Sequence, residues 1–218
     1  CLGVAYHDGQ IFVADTYNNK IKRFDPTTGL VRSWIGGNGE LNEPAGISVG
    51  DGALFIADTA VNPVPTPEQI VETTIGAVRH AKRFGVRAKV ALCSHSSFGN
   101  LDSDSGRRMR AAMEILEARE VDFAYEGEMN VDAALDPELR ARIFPHTRLE
   151  GAANILIFAF TDAASTARNM LRMKAGGLEV GPILMGMGNL AHVVTPSITA
   201  RGLLNMSAVA GTPVSHYG

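Results

Sequence analysis

The sequence predicts an α/β protein in two parts, a short antiparallel β fragment followed by a three-layer domain built on a mostly parallel sheet. Three observations carry this prediction. The segment DGQIFVADT at 8–16 returns 43 residues later as DGALFIADT at 51–59, within a stretch of short strands and tight turns. The Pro-rich VNPVPTP comes next, an extended linker composition. Beyond it, apolar strands alternate with helical periodicities. The two parts are therefore placed at 1–59 and 60–218, with a junction between about 53 and 60.

In the first part, Asp8-Gly9 and Asp51-Gly52 are turn dipeptides that open an apolar strand in each copy of the repeat. NKIKRFDPTTG supplies a further strand with a turn at Asp25-Pro26, and Trp34 precedes a Gly-rich loop. Through VADTYNNKIKRFD and EPAGISV, residues 1–59 resemble an NHL-repeat β-propeller blade. The resemblance covers little more than one blade, whereas propellers close with 4 to 8.

In the second part, Thr66 is placed to cap a helix, with Pro67 in its first turn and Gln69 completing a capping box. Val71, Ile75 and Val78 form its apolar face, flanked by Ile70, Ala77, Ala81 and Phe84, and the helix should end near Gly85. KVALC at 89–93 is a buried strand. The loop SHSSFGNLDSDS leads from it to a helix carrying Met109, Ala112, Met113 and Leu116 at helical spacing. Then follow the strand VDFAY, a helix near 137–143, the strand NILIFAF and a helix near 163–174. The apolar VGPILMGM, the strand HVVT and a last helix from about Ser197 complete the chain.

Composition excludes some functions. Lys plus Arg total 20 against 23 Asp plus Glu, a net charge of −3, so no broad basic face draws in nucleic acid. The two cysteines, Cys1 and Cys93, stand in unrelated contexts, which fits a reducing cytoplasm, and Cys93 reads as a small buried hydrophobe. No run reaches 18 apolar residues and no signal peptide is visible, so neither membrane nor export is expected. Opening on Cys1, the chain reads as a fragment or a processed product.

Three stretches are candidates for chemistry. In SHSSFGNLDSDSGRRMR the hydroxyls of Ser94, Ser96 and Ser97, the backbone of Gly99 and neighbouring Asn100 precede a helix N-terminus, a place for a phosphate, with Arg107, Arg108 and Arg110 adding positive charge. The alternative is that Ser103, Asp104 and Ser105 merely cap the helix while the arginines face solvent. His95 is of the right type for a base, but no acidic partner is assigned to it. In EGEMNVDAALDP, Glu126, Glu128 and Asp132 are of ligand type, yet without a neighbouring His a solvated loop and helix start is the better reading, and no metal is expected. In GLEVGPILMGMGN, Gly181, Gly186 and Gly188 allow close backbone approach beside the adaptable Met185 and Met187, though core and turn residues explain the same pattern.

Together these stretches carry a resemblance that none carries alone. From about Ala57 to Gly218 the chain resembles the C-terminal half of the phosphate acetyl/butyryltransferase family, through ADTAVNPVPTPEQI, KVALCSHSSFGN, EGEMNVDAALDPELR, FPHTRLEGAANILIFAFTDAAS and GLEVGPILMGMGN. The tail HVVTPSITARGLLNMSAVAGTPVSHYG is similar to the phosphotransacetylase-like domain that ends many bacterial NADP-dependent malic enzymes. The resemblance implies that active members carry a Ser-Arg pair, followed six residues after the arginine by an acid, to position and deprotonate the CoA thiol. Anchored on LLN at 203–205, those places hold Thr195, Pro196 and Gly202. Proline has no charge or donor and glycine accepts no proton, so the cation and the base are both missing. The resemblance also implies a cleft between two α/β subdomains, of which this sequence matches one.

The expected function is a non-catalytic regulatory and oligomerisation domain that senses acetyl-CoA or another acyl-CoA, with no covalent cofactor and a homo-oligomeric, cytoplasmic state. The ligand would meet Ser94, His95, Ser96, Ser97, Gly99 and Asn100, apolar contacts near Gly186 and Met187, and the hydroxyls of Thr195 and Ser197. Two alternatives stay open: an active phosphate acetyltransferase, and an NHL-type interaction module.

Overall fold

The structure is a computed structural model that describes residues 3–7, 10–15, 20–36, 53–174, 179–186, 192–194, 196 and 198–211. The chain divides into two compact units, Cys1–Ala53 and Leu54–Gly218.

The first unit holds a four-stranded antiparallel sheet in the order β1-β2-β3-β4, formed by β1 (Gly3–His7), β2 (Gln10–Asp15), β3 (Lys20–Phe24) and β4 (Val31–Gly36). β2 and β3 are the strands expected from the repeat and from NKIKRF; β1 adds one that periodicity did not single out. Between β3 and β4 the Asp25 side chain accepts the amides of Thr27 (2.9 Å) and Thr28 (3.3 Å) in an Asx turn, and hydrogen bonding from the Thr28 side chain, with these amides, holds its carboxyl below the usual carboxylate range.

The second copy of the repeat does not extend this sheet. Its FIA core is β5 (Phe55–Ala57), which runs parallel to β8 (Ile155–Phe158) in the second unit. Leu54–Thr59 thus belongs with the α/β domain, and the division falls six residues before the 59/60 boundary read from sequence. The words of the repeat are alike, but the partner strand decides the sheet, and an apolar FIA suits a buried parallel edge as well as an antiparallel one.

The second unit has four parallel strands in the order β5-β8-β6-β7, with β6 at Lys89–Cys93 and β7 at Ala124–Met129. Period-2 alternation sends Val90 and Leu92 of β6, with Ile155 and Ile157 of β8, to one face, where they meet Ile70, Val71 and Val78 of α1 (Pro67–Arg83) and Met109 and Leu116 of α2 (Asp104–Ala118). Ala91, Cys93, Leu156 and Phe158 face the other way, onto Ala133 and Ala134 of α3 (Val131–Leu135) and Ala164 of α5 (Thr161–Lys174). The three layers follow from strands that are apolar on both faces. Cys93 lies in this interior, and burial pushes its thiol up to about 12.

α1 begins as its sequence dictates, with the Thr66 hydroxyl accepting from the Gln69 amide and the Gln69 side chain accepting from the Thr66 amide. α4 (Pro137–Ile143) is capped by Asp136, and its Arg140 is buried with four backbone carbonyls around it, those of Ala133, Ala134, Leu149 and Gly151. One guanidinium fork therefore ties α3 to the 149–151 turn. α6 (Ala200–Gly211) closes the chain against α1, with Met206 and Val209 buried and Arg83 Nη2 donating to Val209 O at 3.4 Å. The expected strand HVVT is not formed among its described residues 192–194, and 181–186 is likewise irregular.

His80 on α1 is 4% exposed, wedged edge-on between Phe55 and Phe84, with no hydrogen-bond partner at either nitrogen. Burial, with the positive charge of Arg83 and the neighbouring His192, lowers its pKa to about 4 from 6.5. The folded state keeps it neutral while the unfolded chain takes up a proton below 6.5, so its contribution is complete above about pH 6.5 and is lost as pH falls toward 4. His80→Leu should flatten this dependence: its melting temperature is expected to fall less than the parent's between pH 7 and pH 5. Equal falls in a thermal melt would show that His80 does not carry it.

Candidate functional site

The 94–100 loop leaves the C-terminal end of β6, where open α/β sheets place ligands. Its shape is set by the next strand. The Ser94 amide donates to Met129 O (2.9 Å) and the Phe98 amide to Glu128 O (2.7 Å), so the loop rides along the end of β7. Leu92 pairs with Gly127 and Cys93 with Met129, which makes Glu128 an extra residue, a bulge that turns its side chain toward the loop. Gly127 permits the approach, since a Cβ there would lie 2.8 Å from both Leu92 Cβ and Leu92 O.

Glu128 is 1% exposed, and its Oε1 accepts three bonds: from the Ser96 hydroxyl at 2.6 Å, from Arg110 Nη1 at 2.8 Å and from the Gly99 amide at 2.9 Å. A buried carboxylate needs such partners, and bonds to a charged acceptor are worth about 1.5–3 kcal/mol each. The sequence reading of EGEM as a solvated loop is corrected here. Glu126 and Glu128 lie in β7 and are both buried; Glu126 accepts the Arg148 amide at 2.7 Å, while Asp132 alone is exposed at the start of α3. Among the described residues no three His, Cys, Asp or Glu gather as a metal site.

The other loop groups are largely turned inward. Ser96 Oγ also accepts the Leu101 amide (3.2 Å), Ser97 Oγ accepts the Asn130 amide (3.0 Å), and Asn100 Oδ1 accepts the Ser97 amide (2.9 Å). Ser94 Oγ lies 3.0 Å from Ser105 Oγ and accepts the Ser96 amide at 3.1 Å. With the Asn130 amide oriented to suit its neighbours, its nitrogen donates to Ser94 O (2.8 Å) and His95 O (3.0 Å). Phe98 has φ 51°, costly for a bulky residue at about 1–3 kcal/mol, and stacks on Phe144 with ring centroids 4.3 Å apart. His95, Gly99 and Asn100 form the exposed rim.

Arg107 is exposed, as the solvent-facing reading expects, and all three arginines are engaged within the chain. Arg107 pairs with Asp102 and Asp104; Arg108 donates to Pro65 O and lies over the Phe160 ring at 5.4 Å; Arg110 pairs with Glu128. Ser103 caps α2 through the Gly106 amide, as the capping alternative expects. Of the remaining predicted contacts, Gly186 is exposed with φ 90°, whereas Met187, Thr195 and Ser197 lie outside the described residues; Pro196, in the arginine's expected place, is exposed. Glu179, from the third stretch, pairs with Arg168 and Arg172 on α5.

A family model described as phosphate acetyl/butaryl transferase matches residues 42–211. The chain belongs to this family. It is 41% identical over 165 residues to an NAD-dependent malic enzyme of Rhizobium meliloti, covering 76% of this chain and 21% of that protein. It is 44% identical over 160 residues to an NADP-dependent malic enzyme of Salmonella typhimurium (73% and 21%), and 29% identical over 164 residues to a phosphate acetyltransferase of Synechocystis sp. (75% and 24%). In structure it is similar to the EutD phosphotransacetylase from Staphylococcus aureus, with TM-score 0.68 and 24% identity over 75% of this chain and 51% of that one. A phosphotransacetylase from Streptococcus pyogenes gives TM-score 0.63 and 26% identity over 71% and 47%. The chain thus spans about a fifth of the malic enzymes it matches and about half of these phosphotransacetylases. Among the described residues no helix is long and apolar enough to cross a membrane.

The phosphotransacetylase-like loop is expected to respond unequally to loss of its two central side chains. Ser96→Ala should lower the unfolding free energy by about 2 kcal/mol, the worth of a bond to a buried charge. His95→Ala should change it by less than about 0.5 kcal/mol, as exposed positions do. Denaturant unfolding distinguishes them, and equal losses would contradict the placement of Ser96 in the interior.

Proposed function

We propose that this chain is a non-catalytic, acyl-CoA-sensing regulatory and oligomerisation domain of a malic enzyme-type protein. The observation that carries the reading is the pair Pro196 and Gly202 in the places where the family resemblance puts a guanidinium and a carboxylate. The acid's place is also closed. Gly202 sits in the first turn of α6 with its amide on Thr199 Oγ1 (3.0 Å), and a Cβ there would lie 2.9 Å from Ile198 Cγ1 and 3.2 Å from Thr199 Oγ1.

Acyl transfer between a thiol and phosphate needs a base for the thiol and a cation over the phosphoryl and carbonyl oxygens. The α2 arginines do not stand ready as substitutes, since each is engaged within the chain. The ligand is held at the rim of His95, Gly99 and Asn100 and by Gly186 and Met187, with Thr195 and Ser197 adding hydroxyls. Supporting an assembly role, Met170 and Met173 on α5 and Leu203 and Leu204 on α6 are 64%, 74%, 50% and 69% exposed. The malic enzymes among its relatives point to the parent reaction this domain would regulate.

Titration of the chain with acetyl-CoA in a calorimeter is expected to show saturable binding, while phosphate-dependent release of CoA stays roughly 10⁴-fold or more below that of an active transferase. Release at the rate of such an enzyme would establish the alternative, an active phosphate acetyltransferase. Gly202→Asp alone is expected to lower the melting temperature without creating CoA release, because Ile198 must move to admit the side chain. A variant with unchanged melting temperature and new release would show instead that the site needs only its acid.

A further inference from the structure

We propose that Glu128 is the positioning residue of the 94–100 loop, fixing as a hydrogen-bond acceptor the rim that a phosphorylated ligand meets, without touching that ligand. The affinity readout rests on the acyl-CoA reading above; the conformational readout does not.

Three donors from different places converge on one atom. The Ser96 hydroxyl comes from the buried start of the loop, the Gly99 amide from its apex and Arg110 from the second turn of α2, and all three end on Glu128 Oε1. The position of that oxygen therefore fixes both the height of the apex and its distance from the helix. The backbone of the same residue adds the Phe98 amide bond to Glu128 O. Phe98 and Gly99 are successive residues with φ 51° and 79°; glycine adopts this freely, whereas phenylalanine needs outside support. Phe144 supplies it by stacking on one side, and Glu128 supplies it through hydrogen bonds on the other.

Burial separates the roles. Glu128 is 1% exposed and its Oε1 is filled, whereas His95, Gly99 and Asn100 face outward. The ligand meets the rim, and the rim is where Glu128 puts it. Hydrogen-bond acceptance can be told apart from charge pairing because the Arg110 side chain is 37% exposed and stays solvated without an anion.

Two conservative variants separate position from charge. Glu128→Gln keeps an oxygen in place and removes the charge; Glu128→Asp keeps the charge and withdraws the oxygen by one methylene. In hydrogen exchange on the ligand-free chain, Glu128→Asp is expected to speed exchange at the Gly99 and Leu101 amides by about a hundredfold, and Glu128→Gln, which keeps the acceptor but gives up the charge assistance, by about tenfold or less. The β6 amides of Val90 and Leu92 report that the sheet is intact. The dissociation constant for acetyl-CoA is expected to follow the same order, with binding weaker for Asp than for Gln.

The reverse order, or parental protection in both variants, overturns the proposal. Should Glu128→Asp unfold, Glu128→Gln decides alone: a loss of about tenfold or less supports acceptance, and a loss of about a hundredfold or more overturns it. Absence of acetyl-CoA binding by the parent chain defeats the functional reading and leaves the exchange result to judge Glu128 by itself.

Discussion

The geometry at the C-terminal end of this sheet depends on one carboxylate oxygen withdrawn from water. A buried anion is tolerated only when donors surround it, and Oε1 of Glu128 has a hydroxyl, an amide and a guanidinium within 2.6–2.9 Å. Satisfying that requirement fixes the loop after β6, the second turn of α2 and the bulge in β7 in one arrangement. Two further constraints make it reachable. Gly127 lets β7 close on β6, and the extra residue in the β7 register turns Glu128 out of the alternation that would otherwise bury it in the sheet face.

Using polar groups to build the loop limits what they offer a ligand. Ser96, Ser97 and the Asn100 carbonyl oxygen are engaged inside, and the three arginines of α2 are bound by carboxylates, a backbone carbonyl and a ring face. What remains at the rim is an exposed glycine backbone, an imidazole and an amide. Such a surface suits holding a ligand by hydrogen bonds better than stabilising charge that develops during a reaction, which demands preorganised cations or donors. The proposed regulatory role asks no more of the loop than this.

Legibility varied with the range of the forces involved. The start of α1 was readable to the residue because Thr66, Pro67 and Gln69 act on one another within a single turn. KVALC was readable because a short apolar run bounded by polar loops is a buried strand in an alternating α/β pattern. β7 was misplaced toward VDFAY, since AYEGEM carries two glutamates that single-residue preference assigns to a loop. Their partners, Arg110 and the Arg148 amide, lie 18 and 22 residues away in sequence and leave no local mark. The FIA strand could be read into either part for a similar reason: its partner, β8, lies about a hundred residues downstream.

The sequence by itself determined the α/β class, the start of α1, the family and the residue types at Thr195, Pro196 and Gly202, because these reside in local patterning or in the identity of a side chain. Tertiary structure alone decided which strands pair, where the two units divide, that Glu128 is an organiser of the loop, and that the serines expected to face a ligand face inward. Those outcomes turn on burial and on hydrogen bonds between distant segments. A buried charge fixes its partners only once the chain has folded around it.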